Sequence, residues 1–316
     1  MTYFHIPVLS KEIIETVNPQ PGENVVDGTL GGGGHAELFL EEISPDGKLL
    51  GIDLDCEALA ENQLRLKKYS DRVIFEKGNF VDFDSIKKKH NFSPINIFFL
   101  DLGFSSQQLN DDDLGISFLK NSPLDMRIGG QGVDNDYRFT AEYIINNWSE
   151  EKIKKILKDY GEEKYAFSIA KEIVIARKEK LIISTKELVG IISQAVPTRY
   201  KNQRIHFATK TFQAFRIAVN EELENLQNVL PKILENIEVG GRICIISFHS
   251  LEDRIVKNFF RREAKDCVCD VKIPLCVCGH KKQLEIITKK PVMATKEEIA
   301  FNPRSRSAKL RIAKKI

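Results

Sequence analysis

The segment Val25-Val26-Asp27-Gly28-Thr29-Leu30-Gly31-Gly32-Gly33-Gly34-His35 constrains the fold of this chain more than any other. A short apolar strand runs without a linker into a glycine-dense turn, and a helical period follows. Glycine takes positive φ without steric cost and lets the backbone approach a ligand, so such a turn belongs at the carboxyl end of a parallel strand. A glycine cluster alone is weak evidence. Asp27 sharpens it. A phosphate-binding turn sets a pyrophosphate on the helix N-terminus and uses uncharged residues there, whereas a carboxylate repels phosphate and attracts a cation.

The same pattern recurs downstream. Lys48 to Ile52, Val73-Ile74-Phe75 and Ile95 to Leu100 read as buried strands separated by helical periods, which predicts an α/β fold with a doubly wound, mostly parallel sheet. Three more polar or aromatic positions fall at these strand ends. Asp53 in Gly51-Ile52-Asp53 is placed for two ribose hydroxyls, Phe80 offers a face to adenine, and Asp101 opens Asp101-Leu102-Gly103-Phe104-Ser105-Ser106. S-Adenosylmethionine, with a sulfonium, an ammonium and no phosphate, suits a crevice with Asp27 at its base. A nicotinamide dinucleotide shares only the second acid and is disfavoured by the first.

From Gln107 to about Arg204 the strand signal disappears and helices are predicted. Ser149 precedes Ile153, Ile156, Leu157 and Tyr160, and Thr185 precedes Leu188, Ile191, Ile192 and Ala195, as N-caps before helical stripes. One long helix with Phe212, Phe215, Val219, Leu223, Leu226, Leu230 and Ile233 on its stripe then returns to the α/β pattern. Arg242 to Ser247 is the next strand and Leu284 to Thr288 the last. This gives a core of residues 1–106 and 205–316 interrupted by a helical insertion at 107–204.

Composition excludes several classes. The chain has 316 residues, 42% hydrophobic and 29% charged, which excludes disorder, and six cysteines are too few for a disulfide scaffold. No apolar run approaches the roughly 20 residues that cross a bilayer. The first residues, Met1 to Pro7, lack a basic stretch followed by an apolar one, which predicts a cytoplasmic location. A net charge of +2, from Lys+Arg 47 against Asp+Glu 45, hides two acid-free stretches. Leu188 to Asn220 carries Arg199, Lys201, Arg204, Lys210 and Arg216, and Arg304 to Lys315 is equally free of acids. Both suit a polyanionic partner.

Seven blocks in order give the chain a resemblance to a known family, the bacterial 16S ribosomal RNA (cytosine-N4) methyltransferases. They are His5 to Leu9, Asp27 to His35, Asp101 to Ser106 with Gln108-Leu109, Pro123 to Arg127, Arg204-Ile205-His206 onward to Asn220, Ser247 to Arg254, and Asn302 to Arg311. The resemblance implies a class I S-adenosylmethionine-dependent methyltransferase with an inserted all-helical domain for substrate recognition. It implies S-adenosylmethionine as methyl donor and, as acceptor, a cytidine in the decoding region of 16S ribosomal RNA within the small ribosomal subunit. The cofactor contacts it carries over are Gly33, Gly34, His35, Asp53, Phe80, Asp101 and Gln108, to which the charge argument adds Asp27. Phe104, Phe207 and Lys210 depart from the usual residue types. A methyltransferase-fold RNA-binding or ribosome-assembly protein without the activity is the alternative reading, and a homodimer is compatible with the sequence.

An exocyclic amine is a poor nucleophile that needs alignment and an acceptor for its N–H groups. Asp101 is the first candidate for that role, with Ser105 and His249 behind it. Arg127, Arg199, Arg204, Arg216, Arg304 and Arg306 are expected at phosphates. Cys56 and Cys244 read as packed thiols. Cys267-x-Cys269 and Cys276-x-Cys278 could form a tetrahedral zinc site, but the usual knuckle is C-x-x-C, so these four read as thiols packed in a loop and no metal is assigned.

Overall fold

The computed structural model describes residues 7–103, 114–129, 139–270, 272 and 275–316. Its strands are β1 (Val25–Asp27), β2 (Leu49–Asp53), β3 (Val73–Lys77), β4 (Ile97–Asp101), β5 (Arg242–Ser247), β6 (Leu284–Ile286) and β7 (Lys309–Lys315), paired in the order β3-β2-β1-β4-β5-β7-β6. The first five are parallel, and β7 runs antiparallel to both of its neighbours. Strands without polar alternation, such as Ile97-Phe98-Phe99-Leu100, form because both faces of this sheet are covered. Alternate residues divide cleanly between the faces. Val25, Phe99, Cys244, Ile246 and Ile312 pack with Ile13, Phe39 and Leu40 on one side. Val26, Phe98, Leu100, Ile243 and Ile245 pack with Phe83, Leu230, Ile233 and Phe260 on the other. This is the doubly wound, mostly parallel sheet of the class I methyltransferase fold.

The chain divides into two compact units, Met1–Gly103 with Leu223–Ile316, and Phe104–Glu222. Among the described residues the second unit is helical, with helices Ala141–Asn147, Glu150–Asp159, Ala166–Glu179, Thr185–Ala195, Thr198–Lys201 and Thr209–Asn220. Its own core contains Ile153, Leu157, Ile169, Ile173, Leu188, Ile192, Phe212 and Phe215. Ser149 caps Glu150–Asp159 by accepting from the Lys152 N–H. The cap of Thr185–Ala195 is Ser184, one residue before the predicted Thr185, in a reciprocal box with Glu187. No helix among the described residues is long and apolar enough to cross a membrane.

Four expectations are corrected here. The long helix through Phe212 and Ile233 is two, Thr209–Asn220 and Glu222–Asn236, because Glu221 takes a left-handed conformation with φ 51°. The boundary between the units therefore falls at 222/223 instead of 204/205, and Phe212, Phe215 and Val219 belong to the core of the second unit. Cys56 is exposed, whereas Cys244 is buried.

The fourth correction concerns the acid-free stretch at Arg304 to Lys315. It contains a strand, β7, inserted between β5 and β6, and the strand at Leu284–Ile286 lies at the sheet edge. Leu310, Ile312 and Ala313 are fully buried, and Arg311 enters the face covered by helix Ser250–Glu263. There Arg311 Nε lies 2.6 Å from Asp253 Oδ1, and Nη2 lies 3.3 Å from Oδ2. A buried guanidinium is tolerated because this carboxylate is already there to meet it. Removing one partner should be severe: Asp253→Ala is expected to cost about 3–5 kcal/mol in chemical denaturation. Combining Asp253→Leu with Arg311→Met should restore most of the loss. A wild-type midpoint for Asp253→Ala would contradict the burial of the pair.

Candidate active site

Strand β1 ends at Asp27 beside β2 and β4, where the strand order reverses, and this is where an open α/β sheet leaves a crevice. The turn that follows is tied to both neighbours. The Gly28 N–H donates to the Phe99 carbonyl at 3.0 Å, and the Leu30 N–H donates to the Ile52 carbonyl at 3.0 Å. Gly31 N–H donates to Asp53 Oδ2 at 2.7 Å, and the Asp101 N–H donates to Thr29 Oγ1 at 2.7 Å. Three carboxylate residues and the glycine turn are thereby fixed to one another by backbone groups.

Glycine is required at two of these positions. Gly33 has φ 71° and caps helix Gly34–Glu42, and a Cβ there would stand 1.7 Å from Asn62 Oδ1. A Cβ at Gly28 would lie 2.7 Å from Leu100 Cδ2 and 3.0 Å from the Phe80 Cβ, so Phe80 stands directly against the turn. Asn62 is buried under it and donates to the Gly31 carbonyl at 2.7 Å and to the Ala58 carbonyl at 2.8 Å.

The electrostatics are unusual for a strand end. Asp27 is 1% exposed; its Oδ1 accepts from the Thr29 N–H at 3.1 Å, and its Oδ2 has no hydrogen-bond partner among the described residues. Burial, reinforced by the charges of Asp101 and Asp53 and opposed by the Thr29 N–H, pushes the Asp27 carboxyl up to about 8. Burial also raises Asp53, against the N–H groups of Asp55 and Gly31. His35 is pulled down to about 4 by burial and is neutral at neutral pH. Its Nε2 lies 2.9 Å from the Val8 carbonyl, which places the ring hydrogen on Nε2 and leaves Nδ1 bare, 3.7 Å from Asp101 Oδ2.

The structure thus brings Asp27, Gly33, Gly34, His35, Asp53, Phe80 and Asp101 to one end of the sheet. Ser105 and Gln108 lie outside the described residues. His249 is the N-cap of helix Ser250–Glu263: its Nδ1 accepts from the Glu252 N–H at 3.4 Å, and its Nε2 lies 3.0 Å from Glu252 Oε1. That capping box holds the imidazole to its own helix. Thr29 and Asn62 were missed in the sequence. Asn62 carried a signal, being a polar residue three positions after Leu59 and four before Leu66 on an otherwise apolar stripe.

The arginines expected at phosphates divide. Arg216 is paired with Glu222 through two hydrogen bonds of 2.9 Å, and Arg127 with Asp125 at 2.7 and 2.9 Å. Neither is free for a ligand, because Glu222, just outside the acid-free window, accepts both arms of Arg216, and Asp125, two residues before Arg127, accepts both of its arms. Arg199, Arg204 and Arg306 are exposed, and Arg304 is half-buried. His206 stacks on Phe118 with ring centroids 4.7 Å apart, a local packing role.

The glycine turn generates a stability test. Gly33→Ala should lose about 1–2 kcal/mol from its left-handed backbone and more from the contact with Asn62. In an Asn62→Ala background only the backbone share should remain, measured as the coupling in a denaturation double-mutant cycle. Equal losses in both backgrounds would rule out the steric contact.

The MraW methylase family model matches residues 2–316. Ribosomal RNA small subunit methyltransferase H of Heliobacterium mobile is 44% identical over 317 residues, covering 100% of both chains. The protein of the same name from Geobacter sulfurreducens is 46% identical over 316 residues, again covering 100% of both. With the glycine turn, the strand-end acids and the sheet order all within the matched span, the chain belongs to the MraW methylase family.

Proposed function

We propose that this protein methylates N4 of a cytidine in the decoding region of 16S ribosomal RNA, with S-adenosylmethionine as donor. The observation that carries the cofactor reading is Asp27 Oδ2, a buried carboxylate oxygen without a partner at the base of the crevice. A cation in the crevice draws this carboxyl into its ionised form and is satisfied by it, whereas a phosphate opposes that ionisation, and the residues around it fit a nucleoside bearing positive charge and no phosphate. Asp27, Gly33, Gly34, His35, Asp53, Phe80 and Asp101 would hold the cofactor, with Gln108 assigned on the family resemblance. When bound, the cofactor supplies an electrophilic methyl group on a sulfonium.

The chain's own residues do the rest. Asp53 is kept oriented by the Gly31 and Asp55 N–H groups and retains lone pairs for ribose hydroxyls. Asp101, ending β4, accepts from the exocyclic amine of the acceptor base and takes the proton its nitrogen sheds. Neutral His35 adds a second acceptor, Nδ1, beside it. Ser105 is a further acceptor on sequence grounds, while the capping bonds of His249 argue against a direct chemical role. Exposed Arg199 and Arg204, with half-buried Lys201, supply phosphate contacts. A substrate in rRNA of the small subunit supports a cytoplasmic location for the protein.

Mass spectrometry of 16S rRNA nucleosides from cells with and without this protein decides the activity: loss of N4-methylated cytidine is expected. An unchanged nucleoside profile would favour an RNA-binding or assembly role. Asp101→Asn keeps shape but removes the charge and should slow single-turnover transfer by about 10²–10⁴-fold at saturating cofactor and RNA. A wild-type rate under those conditions would confine Asp101 to cofactor binding. Neutralising Arg199, Lys201 and Arg204 together should reduce the salt slope of RNA binding by about 2 units, at roughly 0.7 per lost single-strand phosphate contact. A slope equal to wild type would mark these charges as merely solvated.

A further inference from the structure

Between helix Ser250–Glu263 and β6, the chain leaves the core and returns, its base closed by the Gln283 N–H donating to the Glu263 carbonyl at 2.8 Å. At its tip the two Cys-Val-Cys segments face each other. The four sulfur atoms of Cys267, Cys269, Cys276 and Cys278 all lie within 4.8 Å of one another, with Cys276 and Cys278 3.6 Å apart and Cys267 and Cys278 3.8 Å apart. No disulfide joins them. A tetrahedron with zinc–sulfur bonds of about 2.3 Å has sulfur–sulfur edges of about 3.8 Å.

Backbone N–H groups point at these sulfurs from both segments. Cys269 N–H donates to Cys267 Sγ at 3.4 Å, Val268 N–H to Cys278 Sγ at 3.5 Å, and Val277 N–H to Cys269 Sγ at 3.4 Å. Such bonds favour sulfur as an acceptor, which is the thiolate form that binds metal. Apolar packing does not account for the cluster. Cys267, Cys276 and Cys278 are exposed, and the intervening Val268, Leu275 and Val277 are 38%, 77% and 77% exposed, so the expectation of thiols packed in a loop is corrected.

We infer that Cys267, Cys269, Cys276 and Cys278 form a four-thiolate site for one zinc ion. The donor set contains no carboxylate or carbonyl oxygen, which excludes calcium and magnesium and selects a soft, tetrahedral ion. His280 is not a ligand; its Nε2 lies 3.6 Å from Glu263 Oε2. Binding replaces four S–H bonds by four zinc–sulfur bonds and releases four protons, with no change in oxidation state. The resulting anion is flanked along the chain by Lys265, Lys272, Lys281 and Lys282. Zinc here clasps the two ends of a loop that has no apolar core, and the site stands apart from the strand-end acids and from the methylation reading.

The test uses the full chain, purified under reducing conditions without chelator and analysed by elemental mass spectrometry. One zinc per chain is expected, and Cys276→Ser with Cys278→Ser should lower this below about a tenth. A second measurement does not depend on a variant that folds. In the zinc-loaded protein only exposed Cys56 should react rapidly with a disulfide reagent, buried Cys244 staying protected, and chelation should release four more reactive thiols. Cobalt exchanged into the site should show thiolate-to-metal charge-transfer and tetrahedral d–d bands. Absence of zinc after anaerobic reconstitution, iron in its place, recovery of the four cysteines as two disulfides, or full zinc content in the double variant would overturn the inference.

Discussion

Three carboxylates brought to the ends of adjacent parallel strands are the constraint around which this molecule is organised. Asp27, Asp53 and Asp101 cannot all be charged and dry without a cation, and the fold handles this unequally. Asp53 is compensated by two backbone N–H groups, whereas Asp27 keeps one oxygen without a donor and holds its proton up to about pH 8. The glycine turn makes the arrangement feasible, since its N–H groups must reach both flanking strands while leaving no Cβ in the way. Asn62 underneath and a neutral His35 beside it complete a site that is electrostatically unfinished on its own.

Charge elsewhere is resolved internally. The basic windows that stand out along the chain lose members when partners are counted, Arg216 to Glu222 and Arg311 to Asp253, and Arg127 is likewise taken by Asp125. Lys210 donates to the Glu162 carbonyl at 2.9 Å. Of the acid-free window in the helical unit, the exposed Arg199 and Arg204 keep their charge toward solvent. Linear charge density therefore overstates the binding surface, because an arginine's partner can lie a few residues beyond any window or on a distant element.

Much of the sheet was legible because local pattern and global burial agree. The apolar runs of β1, β2, β4 and β5 end at the residues that form the crevice, and the glycine turn located the ligand end of the sheet. β7 was not legible. Its Lys309, Arg311, Lys314 and Lys315 disguise Leu310, Ile312 and Ala313, and only the carboxylate of Asp253, fifty-eight residues away, makes Arg311 compatible with a buried face. The break at Glu221 escaped for the opposite reason: the apolar stripe continues across it, and a single left-handed residue leaves no mark on periodicity. The cysteine cluster was visible as composition, but whether its sulfurs converge is a matter of loop geometry that spacing does not determine.

The strand order also dictates the sequence of events during synthesis. β4 pairs with β1 on one side and with β5 on the other, yet β5 is made only after the whole Phe104–Glu222 unit. A nascent chain that has emerged through β4 therefore carries an open, apolar strand edge of Ile97-Phe98-Phe99-Leu100, the kind of edge on which chains aggregate. The helical unit, rich in local contacts, can fold during that interval, while the sheet waits for β5 and then for β7 to be threaded between β5 and β6. Splitting the sheet across an insertion thus leaves a half-built apolar edge exposed for as long as the helical unit takes to be synthesised.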